Sequence, residues 1–436
     1  MDEVETVALA ASLLFKNGQT TEEMVSEVQR LAQVLGTPLR VLPHWDELVI
    51  EREHATPFSE IVPAMPTGVH MGKVLAAQRI MRQVCDGALS SAAARAALQA
   101  VERMPPVGLF RLALLAAIGA ASLGVIFGVH DGPSLLLTGL SAGIGALARR
   151  WLARLGGNAL AESLASAMVA GLIGAIASSL HLSDELLLVA FCPCMVLIPG
   201  PHILNGAIDL ARTRITLGLA RLAYAGLITL MLCTGLLIGA GAHREAFQAG
   251  ALVHASLAAD VLAAGCAVAC FGTFFAMPWR LLPLPITVGM LAHAVHWFLV
   301  STLGENMVTA AFLSCLLAGL IVAPLAHRLR LPFAAVGFSA VVSMMPGFFL
   351  FRAASALLDL VALGPRASAQ LGLVPLAVGN GLKAFLIVLA MTVGLVLPRM
   401  ALLRLMAALA ETGAGMERRA ASAGPGRQGS AVRGEV

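Results

Sequence analysis

The chain has 436 residues, is 58% hydrophobic and only 12% charged. So few charges cannot cover a soluble domain of that length, so the chain reads as an integral membrane protein. A net charge of +4 without a basic arm argues against nucleic acid as a partner, and the seven cysteines lie mostly in apolar stretches, as buried hydrophobes do, not as a disulfide framework.

Residues 1–105 read as a small α+β domain. The acidic start lacks the basic region of a secretory signal, so the N-terminus is expected in the cytoplasm. Val4 to Phe15 has helical periodicity and ends at Lys16-Asn17-Gly18. Thr20-Thr-Glu-Glu23 has the form of a capping box for a second helix that closes at Gly36. Two alternating stretches, Pro38 to Pro43 and Glu47 to Glu53, suggest a hairpin, and helices follow over 74–85 and 90–103.

From Val107 onward ten apolar segments approach the ~20 residues needed to cross a bilayer: 107–129, 133–149, 158–180, 185–211, 214–241, 251–277, 281–301, 306–327, 331–361 and 371–397. The fourth is interrupted by Pro199-Gly200-Pro201 and the ninth by Pro346-Gly347. Proline removes an amide donor and glycine eases a bend, and in lipid such breaks persist only where protein or a water-filled cavity satisfies the backbone. Arg399 to Ala410 reads as a surface helix within a segment 399–436 whose tail from Thr412 is expected to be disordered.

Loops after the even-numbered spans carry Arg149, Arg150, Arg154, Arg212, Arg214, Arg280, Arg328 and Arg330, whereas the alternate loops carry Arg244 and Arg366. The basic loops and both termini are therefore expected in the cytoplasm. Five spans per half is an odd number, so the second half (242–398) enters the membrane inverted relative to the first (106–241). The expected fold is an all-α polytopic membrane protein: a five-plus-five inverted-topology repeat with broken fourth and ninth helices, preceded by the α+β cytoplasmic domain.

A helix restarting after a Pro-Gly break offers backbone amides and its positive dipole end to a carboxylate. Pro199, Gly200, His202 and Asn205, with Pro346, Gly347, Arg352, Asn380 and Lys383, are the candidate substrate contacts. Asp209, Arg221 and Glu162 are expected at one depth near the cytoplasmic side, where membrane charges normally pair. With Asp359 and Asp260 in the second half they are the candidate coupling groups. Lys383, near mid-span, is expected to be buried, either as the cation for a substrate carboxylate or as the partner of Asp359 or Asp260. His293 and His296 share a helix face and read as core residues, with proton relay the functional alternative. Cys192-Pro-Cys194-Met195 is soft enough for Cu(I) but reads as apolar filling, and neither a metal nor another cofactor is expected. His44, Asp46 and His54 raise a hydrolase as a rival, without a Gly-x-Ser-x-Gly or His-Glu-x-x-His motif to carry it.

These residues resemble the threonine/serine exporter family. The resemblance runs from Leu13-Leu-Phe-Lys-Asn-Gly-Gln-Thr-Thr-Glu-Glu23 through Arg82-Gln-Val-Cys-Asp-Gly-Ala-Leu-Ser-Ser91 and Glu102-Arg-Met-Pro-Pro106. It continues in Pro199-Gly200 with Asn205 and Asp209, in Gly218 with Arg221, and in Pro346-Gly347. Arg212-Thr-Arg214 departs from the Gly-Asp pair expected there. The resemblance implies export of small amino acids driven by the membrane gradient, with substrate, protons and the lipid bilayer as partners; a homo-oligomer is compatible with it. In some bacteria the two halves of this family are separate chains associated with succinate export, so a dicarboxylate is the alternative substrate.

Overall fold

The computed structural model describes residues 2–52, 59–182, 186–241, 255–370 and 372–422. His54 and Arg244 lie outside them. The N-terminal unit comprises helices α1 (Asp2–Lys16) and α2 (Thr21–Val34), strands β1 (Leu39–Pro43), β2 (Glu47–Arg52) and β3 (Ser59–Pro63), and helices α3 (Met71–Cys85) and α4 (Ser91–Glu102). The strands form an antiparallel meander in the order β1-β2-β3, with Val41 opposite Ile50 and Val49 opposite Ile61. The third strand was not expected; Ile61-Val62 is a short β-branched signal flanked by prolines. Leu48 and Ile50 alternate inward and, with Phe15, Met24 and Met71, belong to a buried apolar cluster that continues into the helices that follow.

Nine helices follow: α5 (Leu109–Ile126), α6 (Gly132–Arg154), α7 (Ala159–Ser179), α8 (Leu186–Met195), α9 (Gly200–Ala211), α10 (Ile215–Ala240), α11 (Leu257–Phe274), α12 (Pro283–Trp297) and α13 (Met307–Leu329). Helices α14 (Phe333–Val341), α15 (Gly347–Gln370) and α16 (Leu373–Ser422) complete the chain. Among the described residues, eight helices are long and apolar enough to cross a membrane, or nine with the bent pair α8–α9 counted as one span. Of the ten expected segments the second, α6, does not qualify, being diluted by glycines and terminal arginines, and the ninth qualifies only through Gly347–Pro365, its first part Phe333–Met344 being a shorter apolar helix. Leu136, Leu140, Leu172, Leu219, Leu262, Leu291 and Leu320 point outward from different helices, as lipid-facing side chains do. Buried hydroxyls such as Thr138, Ser163, Thr229, Ser339 and Thr392 donate to the carbonyl one turn back, which spares them an unpaired donor in an apolar environment.

Three helix contacts of the first half have counterparts in the second. α7 packs on α10 as α13 packs on α16; α5 on α6 as α11 on α12; α9 on α10 as α15 on α16. The α7–α10 and α13–α16 contacts are both close approaches of backbone through glycine. A Cβ on Gly171 would lie 2.2 Å from the Leu236 carbonyl, and one on Gly394 2.5 Å from the Phe312 carbonyl. Neither carbonyl can move without disturbing its own helix. Gly171→Ala should therefore lower stability by about 1–3 kcal/mol, whereas Gly226→Ala, with open space around it on α10, should be neutral or slightly stabilising. Thermal unfolding in detergent compares the two; equal midpoints would show that the α7–α10 approach is not tight.

The C-terminal segment differs from expectation. α16 runs without interruption through Pro398 to Ser422, so no separate surface helix begins at Arg399 and the stretch from Thr412 to Ser422 is helical. Its Ala, Met, Glu and Arg content favours helix enough to continue the span beyond its apolar part.

Candidate functional site

Both breaks fall where proline forbids helix continuation. α8 stops at Met195, Pro199 takes the inverse γ-turn conformation with ψ 65°, and α9 leaves at 58° to α8. In the second half, α14 tightens into a 3-10 turn over Val342–Met344, Met345 is extended and α15 restarts at Gly347. The breaks face each other. A Cβ on Gly200 would meet Val342 at 3.1 Å and Met345 at 3.3 Å; one on Gly347 would meet Ile198 at 2.9 Å and Met195 at 3.2 Å. A void of about 20 Å³ lies between them, lined by Met195, Ile198, Val342 and Gly347. The first break also satisfies its own amides: Gly200 N–H donates to Ile198 O, and His202 and Ile203 N–H donate to Pro199 O. The free amides expected there are thus engaged in this closed arrangement, because the tight turn folds its own carbonyls back onto them.

Beyond the first break, His202, Asn205 and Asp209 form one stripe along α9, and it faces the N-terminal unit. His202 Nε2 lies 3.0 Å from Pro66 O and its ring lies against Tyr224; Asn205 Nδ2 donates to Gly18 O at 3.3 Å. The Asp209 carboxylate accepts from the Thr21 hydroxyl at 3.0 Å and pairs with Arg221 at 3.2 Å, both charged side chains being 1% exposed. Arg221 also donates to Thr21 Oγ1 and stands over the Phe15 ring. Arg214 approaches Asp209 from outside at 3.4 Å. Gln19, Thr20 and Thr21 are consequently buried: the turn between α1 and α2 is seated in the end of the helix bundle.

That seating explains why no capping box forms. Thr20 is the N-cap residue of α2 but makes no side-chain cap, and Glu23 reaches across to Arg399 on α16 at 2.5 Å. Residues that satisfy a local rule are instead used for distant contacts. Glu162 does not join Asp209 and Arg221; it pairs with Arg149 at 3.1 Å, because its turn of α7 faces the end of α6.

A second polar group lies at the other break. His293 Nδ1 is 3.1 Å from Asp260 Oδ2, and His293 Nε2 is 2.9 Å from Ser343 Oγ. The chain Asp260–His293–Ser343 is buried, spans α11, α12 and the turn before Pro346, and borders a cavity of about 90 Å³ walled by Trp297, Met345, Pro346 and Phe348. Asp260 was a candidate; Ser343 was not, and a lone serine in an apolar run carries no signal of its partner. Arg352 and Lys383 stand over the adjacent Phe348 and Phe349 rings. Lys383 is exposed, not buried as expected, because its face of α16 turns away from the helix contacts. Asn380 donates within its own helix to Leu376 O, and Asp359 is buried on α15. Of the hydrolase candidates, His44 and Asp46 lie at the β1–β2 turn.

A family model described as a threonine/serine exporter matches residues 5–242, and a second, described as Threonine/Serine exporter, ThrE, matches residues 260–401. The chain belongs to the threonine/serine exporter family. It is a fused member, carrying both family regions in one polypeptide, and a multi-pass membrane exporter. No curated protein and no solved structure matches it.

Proposed function

We propose that this exporter moves threonine and serine out of the cytoplasm against their gradient, in exchange for protons, through ten spans arranged as a five-plus-five inverted repeat. The three paired helix contacts and the matching Pro-Gly breaks support the repeat. The observation that carries the transport reading is the facing pair of breaks with a titratable Asp260–His293–Ser343 chain at one of them. A substrate carboxylate binds when the breaks part and expose their amides, and the buried imidazole–carboxylate pair takes and releases the coupling proton. In the closed arrangement the α1–α2 turn covers the cytoplasmic side of α9, so loading requires Thr21 to leave Asp209. Arg352 and Lys383, flanking the second break over adjacent phenylalanines, favour a dicarboxylate such as succinate as the second reading.

Flux of labelled threonine, serine and succinate into inverted vesicles, with and without an uncoupler, tests this. Uncoupler-sensitive accumulation of threonine or serine is the expected result. Accumulation of succinate alone would transfer the assignment to the dicarboxylate, and uptake of either amino acid that never exceeds equilibrium would make the protein a channel.

A further inference from the structure

A cavity of about 480 Å³ lies away from both breaks, between α2 and α3 of the N-terminal unit and the near ends of α13, α14 and α16. Four arginines line it: Arg30 on α2, Arg82 on α3, Arg330 at the end of α13 and Arg399 on α16. Arg399 is held by Glu23. Among the described side chains no ion pair joins Arg30, Arg82 or Arg330 to a carboxylate. Arg30 and Arg330 are exposed and Arg82 is half-buried, so all three keep surface that a ligand can reach. Arg82 spends one N–H on Arg330 O, which leaves most of its five-donor fork unspent. The crowding is unfavourable: burial first, and Arg330 and Arg79 after it, act against the charge on Arg82, with Glu27 and Asp86 opposing them. Glu27 is already bonded by Gln78, and burial, with Glu23 beside it, raises its carboxyl to about 7, so near neutral pH it bears only part of a charge. Three open guanidiniums thus face Asp86 and a partly charged Glu27, and positive charge is in excess.

The opposite wall is apolar: Ala323, Ala326, Leu331 and Leu402, beside Leu329 and Leu405, which are 57% and 58% exposed as lipid-facing side chains are. Arg330 holds the left-handed position that ends α13, with φ 52° and ψ 45°, where glycine is the unstrained residue. A guanidinium stands there at a cost to the backbone. Guanidiniums on one side and apolar helix ends on the other suit a phosphate carried on acyl chains, and basic pockets at the ends of membrane helices take such headgroups. We propose that this cavity binds an anionic phospholipid of the leaflet on the N-terminal unit's side, its phosphate on Arg30, Arg82 and Arg330 and its acyl chains along Leu331 and Leu402. Arg30 and Arg82 belong to the N-terminal unit and Arg330 to the second half, so one phosphate straps the two together. The lipid therefore strengthens the same docking that seats Thr21 on Asp209. This assignment goes beyond the exporter reading and does not depend on it.

Cys85 lines the cavity and is half-buried; of the other six cysteines only Cys266 is exposed. The test is the rate at which neutral methyl methanethiosulfonate labels Cys85 in full-length Cys266→Ser protein. The protein is held in nanodiscs of phosphatidylcholine with increasing phosphatidylglycerol, or of phosphatidylcholine alone with inorganic phosphate added. Phosphatidylglycerol at ten times its half-protecting level should slow labelling by about tenfold, the free fraction that mass action leaves. Arg82→Gln or Arg330→Gln should raise the half-protecting level about fivefold or more, the worth of one arginine at an anionic lipid. Arg82→Lys, which keeps the charge, should retain most of the protection, and that separates lost charge from misfolding. Arg103→Gln, at an exposed arginine outside the cavity, should leave protection unchanged. Labelling indifferent to phosphatidylglycerol would overturn the proposal. So would a slowing that persists undiminished in both Arg82→Gln and Arg330→Gln, which is an effect of bilayer charge alone. Equal protection by inorganic phosphate without phosphatidylglycerol would overturn the lipid and put a soluble phosphate compound in its place.

Discussion

Asp209→Ala should cost the folded protein about 3–5 kcal/mol, the usual consequence of stranding one member of a buried ion pair. Arg221 is 1% exposed and cannot shed its proton, so without Asp209 its charge is left with the Thr21 hydroxyl and the face of Phe15. The loss extends to the N-terminal unit, because Thr21 donates to the same carboxylate and holds the α1–α2 turn in place. Replacing both charges, in Asp209→Leu with Arg221→Leu, should recover much of the stability, since removing the whole pair also removes its desolvation penalty. Thermal unfolding of the two single variants and the double variant in detergent completes the cycle. Independent, additive losses would mean that the two groups do not act as a pair.

Asp260→Asn should strongly reduce gradient-driven accumulation while leaving exchange of substrate across the membrane. The carboxamide can still hydrogen-bond His293 Nδ1, so the geometry of the chain to Ser343 is largely retained while the negative charge beside the ring is lost. Accumulation should fall by about tenfold or more, in line with ~1.5–3 kcal/mol for a hydrogen bond to a charged group. Ser343→Ala, which removes only the end of the chain, should have a smaller effect. Accumulation in Asp260→Asn with unchanged uncoupler sensitivity would remove this chain from the coupling mechanism. Asp, His and Ser are also the members of a nucleophilic relay. Labelling of Ser343 by a fluorophosphonate would therefore argue for a hydrolase and against the transport reading.

The helices and both breaks were legible in the sequence because their causes are local: apolar length, and proline with glycine inside it. The Asp209–Arg221 contact was legible because two opposite charges at the same depth of an apolar segment must find each other. Glu162 met the same description and paired elsewhere, since depth says nothing about which way a helix face turns. His293 was visible as half of a histidine pair, but its partners are 33 residues before it and 50 after it, beyond any periodicity. The α1–α2 turn misled for a different reason. Thr20-Thr-Glu-Glu23 fits a capping box so well that a local purpose seemed sufficient, whereas the folded chain uses Thr21 and Glu23 to grip two different parts of the membrane bundle.

Three consecutive residues at the start of α2 hold the halves from one point: Thr21 and Glu22 bind Asp209 and Arg212 of the first, and Glu23 binds Arg399 of the second. One turn of helix therefore registers the two halves against each other, and a rocking motion of either must be felt there. Where the same architecture is divided between two polypeptides, the Glu23–Arg399 contact becomes intermolecular. The start of α2 would then serve as the recognition element by which one subunit selects its mate, and charge reversal at both positions would be the way to build a pair that ignores the natural one.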